Sequence, residues 1–147
     1  MQQTDNKKNN IKKIISTVFL VAAVTISVNV ATNSFNSEAN LEKEIKKFNK
    51  DLPQQMDEFT RLDSVKMPAE LNLAYYITVD IDKEEADYES IKQYIHPNIL
   101  NNIKHESSLK YFRKKHFTWS YYFYDKNRIL FHEYIITPYM YDEKPPV

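Results

Sequence analysis

The chain has 147 residues, 20 basic and 20 acidic side chains, no glycine and no cysteine, a length that leaves room for one domain of about 110 residues behind an apolar front segment. Without glycine there is no Walker loop, G-x-G-x-x-G turn, G-x-S-x-G serine elbow or EF-hand loop, and without cysteine no disulfide, thiol nucleophile, cysteine-bound zinc or lipobox anchor. Lys7, Lys8, Lys12 and Lys13 against Asp5 precede the apolar run, so the remainder carries 16 basic and 19 acidic side chains, net −3, a balance that disfavours wrapping nucleic acid.

Residues 1–13 form a basic tail, and residues 14–31, IISTVFLVAAVTISVNVA, run 18 positions without a charge. As a helix this run spans about 27 Å, enough to cross a hydrocarbon layer of roughly 30 Å. No basic residue follows until Lys43, and that bias keeps the N-terminus in the cytoplasm. The expectation is a single-pass anchor in a bacterial inner membrane with the domain in the periplasm. The alternative is a signal peptide whose cleavage releases the domain to the periplasm, because both begin with a charged segment and an apolar run. Asn29 fits poorly at the −3 position of a cut after Ala31, and Ser37-Glu38-Ala39 is acceptable but distant.

Residues 32–37, TNSFNS, read as a polar linker in which Ser37 caps a helix beginning at Glu38. Leu41, Ile45, Phe48 and Leu52 recur at helical spacing until Pro53. MDEFTRLDSV then predicts a strand ending near Pro68. LNLAYYITVDI predicts a second, with Leu71, Leu73, Tyr75, Ile77, Val79 and Ile81 on one face, and the two form a hairpin. Asp82 to Glu85 read as a capping box opening a helix that buries Tyr88, Ile91 and Ile95. Pro97 suits the first turn of a second segment through Ile99, Leu100 and Ile103, and Ser107 or Ser108 caps a last piece with Leu109 and Phe112. HFTWSYYFY, the turn DKNR and ILFHEYIITP predict a closing hairpin, with Phe117, Trp119, Tyr121 and Phe123 on one face and Thr118, Ser120, Tyr122 and Tyr124 on the other. The expected fold is an α+β domain over residues 38–141, a four-stranded antiparallel sheet covered on one face by helices, followed by a flexible tail at 142–147.

From about Leu52 to Pro138 the chain resembles a family of small uncharacterised bacterial envelope proteins, some exported and some lipid-anchored. The stretches that carry the resemblance are LPQQMDEFTRLDSV, LAYYITV and YYFYDKNRILFHEYIITP, with Arg61, Asp63, Tyr122, Tyr124, Asp125, Thr137 and Pro138 matching its pattern. The resemblance implies an envelope location and an α+β fold, and brings no catalytic residues. It also implies a cysteine pair in the family where this chain has Lys104 and Tyr141, so packing alone must hold this helix to the sheet.

Among candidate sites, the basic run Lys110, Arg113, Lys114, Lys115 and His116 suits either a phosphate or lipid contact or a solvated helix end, where cations meet the negative end of the dipole. The aromatic run behind it suits base stacking or a core face, and alternation favours the core for half of it, leaving Tyr122 and Tyr124 on the opposite face. The acidic cluster Asp80 to Glu89 has D-x-D-x-E spacing, but Lys83 interrupts it and helix capping explains it. His96, His105, His116 and His132 lack the spacing of a single-helix metal pair, although distant ones can converge. Arg61 and Asp63, two apart on a strand, share a face.

The sequence therefore points to a non-enzymatic envelope protein that binds a protein partner, with no cofactor or metal, the membrane engaged through residues 14–31, and partner contacts at Arg61, Asp63, Tyr122, Tyr124, Arg113, Lys114 and Lys115. Two alternatives stand beside it: an immunity or inhibitor protein against an envelope toxin, and a small envelope hydrolase whose fold assembles histidine and carboxylates. The intact mass of the mature protein is expected to correspond to a chain retaining residues 14–31. A mass beginning at residue 32 or 40 would replace the anchor by a cleaved signal.

Overall fold

In the computed structural model, residues 38–142 are described. The anchor expected at 14–31, the tail at 1–13, the linker with Ser37 and residues 143–147 lie outside them. Among the described residues no helix is long and apolar enough to cross a membrane.

Apolar spacing gives helix α1, Glu38–Phe48, which buries Leu41 and Ile45. A 3-10 turn at Asn49–Asp51 ends it. The Asn49 side-chain amide then docks on a strand, donating to the Val65 carbonyl at 2.7 Å and accepting from the Val65 N–H at 2.9 Å. Five strands follow: β1 Gln54–Gln55, β2 Thr60–Ala69, β3 Asn72–Val79, β4 Thr118–Tyr124 and β5 Leu130–Ile136. They lie in sequence order across one sheet. Two departures from expectation concern this sheet. A short extra strand, β1, pairs with β2, and β3 pairs with β4 in parallel while every other pair is antiparallel. The four-stranded antiparallel sheet is thus corrected to a five-stranded mixed one. The reason lies in the connection: parallel neighbours need a long crossover, and the helical stretch after β3 returns the chain to the start of that strand, where Thr118 N–H bonds the Leu71 carbonyl at 2.7 Å.

The crossover opens with a 3-10 turn, Lys83–Glu85, whose expected cap Asp82 makes no cap bond. Asp82 instead pairs with Lys126 at 2.7 Å and accepts from Asn127 Nδ2 at 3.2 Å. Capping passes to Asp87, which accepts from the Ser90 N–H at the start of α2, Tyr88–Ser90. A π-helical stretch, Ile91–Ile95, leads into α3, His96–His105. Pro97 has no N–H to give, and the wider turn ahead of it, closed by His96 N–H to the Ile91 carbonyl, accommodates the proline without a break. Glu106, rather than either serine, caps the 3-10 turn Ser107–Leu109 before α4, Lys110–Lys114. Ile91, Ile95, Ile99, Ile103, Leu109 and Phe112 are buried against one sheet face formed by Leu62, Val65, Leu73, Tyr75, Ile77, Trp119, Tyr121 and Phe123. Tyr88 stays 44% exposed and contributes little to this core.

With no cysteine pair, aromatic and polar contacts fasten the helices. Helix α5, Pro138–Tyr141, packs against α3. Tyr141 donates to the Phe117 carbonyl at 2.7 Å and meets Trp119 edge-on at 5.1 Å, while Lys104 is exposed. Arg113 Nη1 donates to the carbonyls of Ile103 and Glu106, both at 2.7 Å. These carbonyls end α3, where no intrahelical donor remains, so Arg113 acts as a clamp between α4 and the end of α3. Lys114 and Lys115 are exposed at the end of α4. Arg113→Met is expected to lower stability by about 1 to 2 kcal/mol in chemical denaturation, because it takes this donor from the Ile103 carbonyl and one of two donors from the Glu106 carbonyl, which keeps the Leu109 N–H at 3.1 Å. Lys114→Met and Lys115→Met should each stay within about 0.5 kcal/mol.

Candidate functional site

The helices cover one face of the sheet, and the other carries the polar and aromatic residues that the alternation left outside. Parallel register sets Tyr76 beside Tyr122 and Thr78 beside Tyr124. The Tyr76 and Tyr122 rings stack at 5.2 Å and 20°, and Tyr76 and Tyr124 at 6.5 Å and 24°. Lys66 Nζ lies 5.1 Å from the Tyr76 ring centroid. The Tyr76 ring is thus contacted by both tyrosines of β4 and by Lys66. Burial, followed by the neighbouring Tyr122 and Tyr124, raises the Tyr76 hydroxyl above its ordinary range, so it remains a donor at physiological pH.

Arg61 and Asp63 share this face as expected. A register shift in β2 between Leu62 and Ser64 brings Asp63 into place. Arg61 Nε donates to Asp63 Oδ1 at 2.6 Å, and the Thr78 hydroxyl donates to Asp63 Oδ2. A concavity of about 360 Å³ opens here, lined by Pro53, Arg61, Asp63, Thr78, Tyr124 and Arg128. A second, of about 350 Å³, adjoins it and shares Arg61, Thr78 and Arg128, adding Glu58, Asp80 and Lys126. Tyr122 extends the surface along β4, whereas Lys114 and Lys115 line neither concavity.

Arg128 was not among the expected site residues. It stands in the turn after Tyr124 with φ of 65°, a left-handed conformation that glycine normally supplies. Asp125 holds that turn: its Oδ1 accepts from the N–H groups of Asn127 and Ile129, each at 2.8 Å, and its carbonyl accepts from Arg128 N–H at 2.9 Å. The side chain is 1% exposed. Burial opposes its ionisation, but backbone donors from Ile129, Asn127 and Lys83 outweigh it and hold the carboxyl below its usual range. The available signal was a basic residue closing a turn in a chain with no glycine.

The histidines separate into three settings. His105 is exposed in the last turn of α3. His96 and His132 converge on the helix-covered face, with Nε2 atoms 2.7 Å apart. His96 lies flat on Tyr134 at 3.7 Å and 1°. Burial, the adjacent His132 and Lys92 push His96 down to about 4, and burial and Lys92 lower His132. Both rings are therefore neutral near pH 7, one donating to the other. Among the described residues no group of three histidine, aspartate or glutamate side chains converges on a metal-sized site. His116 Nδ1 is 3.3 Å from Asp142 Oδ2, although their geometry makes no hydrogen bond. No histidine lines the Arg61–Arg128 concavities.

A depressed histidine pKa favours the neutral folded form, so its contribution is complete above about pH 6.5 and is lost as pH falls toward 4. Urea midpoints are expected to drop across that window. His96→Phe, which preserves the stack on Tyr134, should show a shallower drop than the parent chain; equal slopes would show that the pair carries no such linkage.

No curated protein matches the sequence. The fold recurs in a Pseudomonas aeruginosa protein described as secreted, at a TM-score of 0.58 and 12% identity over 69% of this chain and 89% of that one. It recurs in a pilotin of the Vibrio vulnificus type 2 secretion system, at 0.56 and 7% identity over 73% and 93% of the two chains. A pilotin of the Vibrio cholerae type II secretion system shares it at 0.50 and 8% identity over 81% and 98%. At such identities the likeness is one of fold. The sequence family described as Domain of unknown function (DUF8479) matches residues 36–131, a span that includes α1, the β2–β3 hairpin, the crossover helices, β4 and the Arg128 turn, and the chain belongs to that family.

Proposed function

We propose that this domain is a non-enzymatic protein-interaction module of the bacterial envelope, and that its uncovered sheet face is the binding surface. The observation that carries the reading is the tyrosine ladder Tyr76–Tyr122–Tyr124 running into the Arg61–Arg128 concavity. Rigid amphipathic rings beside guanidinium groups are the side chains that dominate binding energy at protein interfaces. Tyrosine supplies contact area with few rotors to immobilise. The resemblance-bearing residues support the same place: Arg61, Asp63, Tyr122 and Tyr124 line the face, and Asp125 shapes the turn that presents Arg128. The pilotins that share the fold belong to envelope secretion systems, which supports an envelope setting and a protein partner. Membrane attachment through residues 14–31 belongs to this reading.

Crosslinked pull-down of the full chain from cells tests it. A reproducible envelope partner is expected, with recovery reduced about tenfold or more by Tyr122→Ala together with Tyr124→Ala, at unchanged thermal stability to within a few degrees. Recovery of cytoplasmic neighbours alone, or full recovery with the double variant, would overturn the proposed surface.

A further inference from the structure

The two concavities at the end of the tyrosine ladder have an electrostatic feature that general protein binding does not require. Arg61 and Arg128 both line both of them. Arg61 directs Nε at Asp63, and one terminal nitrogen lies 3.5 Å from the Thr78 hydroxyl. Among the described residues the Arg128 guanidinium forms no ion pair. Two guanidinium groups thus line one cleft with a single carboxylate, Asp63, between them in the charge count, and the planar fork of arginine matches a carboxylate in two parallel hydrogen bonds.

We propose that the Arg61–Arg128 cleft captures a single carboxylate on an extended segment of the protein partner, with that segment continuing along the tyrosine ladder. This rests on the interaction-module reading above and specifies its ligand. The charge count selects the ligand. Asp63, bonded to Arg61, reduces the trio Arg61, Asp63 and Arg128 to a net single positive charge, which one carboxylate neutralises and a phosphate dianion overfills. The adjoining concavity adds Glu58, Asp80 and a Lys126 already paired with Asp82, so it brings no further unpaired positive charge of the kind that polyanions such as nucleic acid or an anionic bilayer require. Apolar surface from Pro53 and the Tyr124 ring flanks the cleft, as suits peptide backbone beside the charged group. The backbone at Arg128 is consistent with the assignment. A left-handed backbone is strained for a non-glycine residue, and such positions persist where the surroundings over-determine them, often at ligand clamps; here Asp125 provides the constraint.

The test is photocrosslinking in cells from p-benzoylphenylalanine placed at Lys66, beside Tyr76 and outside the cleft, in the full chain. The expected adduct maps to a partner segment containing an aspartate, a glutamate or the partner's C-terminus. Arg128→Gln and Arg61→Gln should each reduce it about tenfold or more, and Arg128→Lys by less. A synthetic peptide of the mapped segment, labelled with fluorescein, should bind about tenfold more tightly than its Asp/Glu→Gln twin or, if the terminus is the ligand, than its C-terminal amide; whichever substitution weakens binding identifies the source of the carboxylate. Adducts that survive both arginine variants, or peptides indifferent to their carboxylates, would overturn this proposal and leave the protein-interaction reading standing. Phospholipid adducts without any protein adduct would overturn both. Arg128→Gly relieves the left-handed backbone, so its thermal midpoint should not fall while its adduct is lost, which separates binding from folding.

Discussion

Parallel pairing of β3 with β4 is the constraint on which the rest of the molecule depends. It aligns Leu73 with Trp119, Tyr75 with Tyr121 and Ile77 with Phe123, so the inner face of the sheet is a continuous block of large apolar side chains. The Tyr75 and Tyr121 rings stack at 5.0 Å and 9° at its centre. The same register, one residue out of phase, sets Tyr76 against Tyr122 and Thr78 against Tyr124 on the outer face. Core and candidate site are thus two sides of one ladder. The alternation of side chains along a strand makes them inseparable, since a slip by one residue would exchange the faces.

A chain with no glycine must still turn sharply, and three positions show how it does so. Leu71, His116 and Arg128 have φ of 55°, 58° and 65°. Each is held by neighbours: Leu71 lies against the core and its carbonyl receives Thr118 N–H, His116 N–H bonds the Arg113 carbonyl, and Arg128 N–H bonds the Asp125 carbonyl. Two of the three turns also define boundaries that matter for function. His116 divides the basic end of α4 from the aromatic strand β4, so the lysines and the tyrosines belong to different surfaces. Arg128 closes the β4–β5 turn and brings a cation beside Tyr124.

The helices are secured to the sheet by contacts that need no disulfide. Arg113 ties α4 to the end of α3, Tyr141 ties α5 to Phe117 and Trp119, and Asn49 ties the end of α1 to β2. On the β5 side, His96 and His132 perform a similar role, coupling α3 to the edge strand through a hydrogen bond and the stack on Tyr134. The neutrality of both rings makes this last fastening sensitive to acid, unlike the others.

Local chemistry in the chain determined a good part of this protein. The period-two alternation of TWSYYFY put Trp119, Tyr121 and Phe123 inside and left Tyr122 and Tyr124 on the other face, DKNR made the turn, and the spacing of Arg61 and Asp63 placed both on one face. Leu41, Ile45, Ile99 and Ile103 revealed their helices by helical spacing. Those features depend on neighbours within a few residues, which sequence displays directly. Tertiary structure alone decided the parallel register, the fifth strand and the transfer of Asp82 from a helix cap to Lys126. It also decided the inward commitment of Arg113, the meeting of His96 with His132, and the convergence of Arg128 on Arg61. Each of these is a pairing between groups distant in the chain. Its outcome is set by where the crossover returns and by which partner best satisfies a charge or a carbonyl there, and no local period records that.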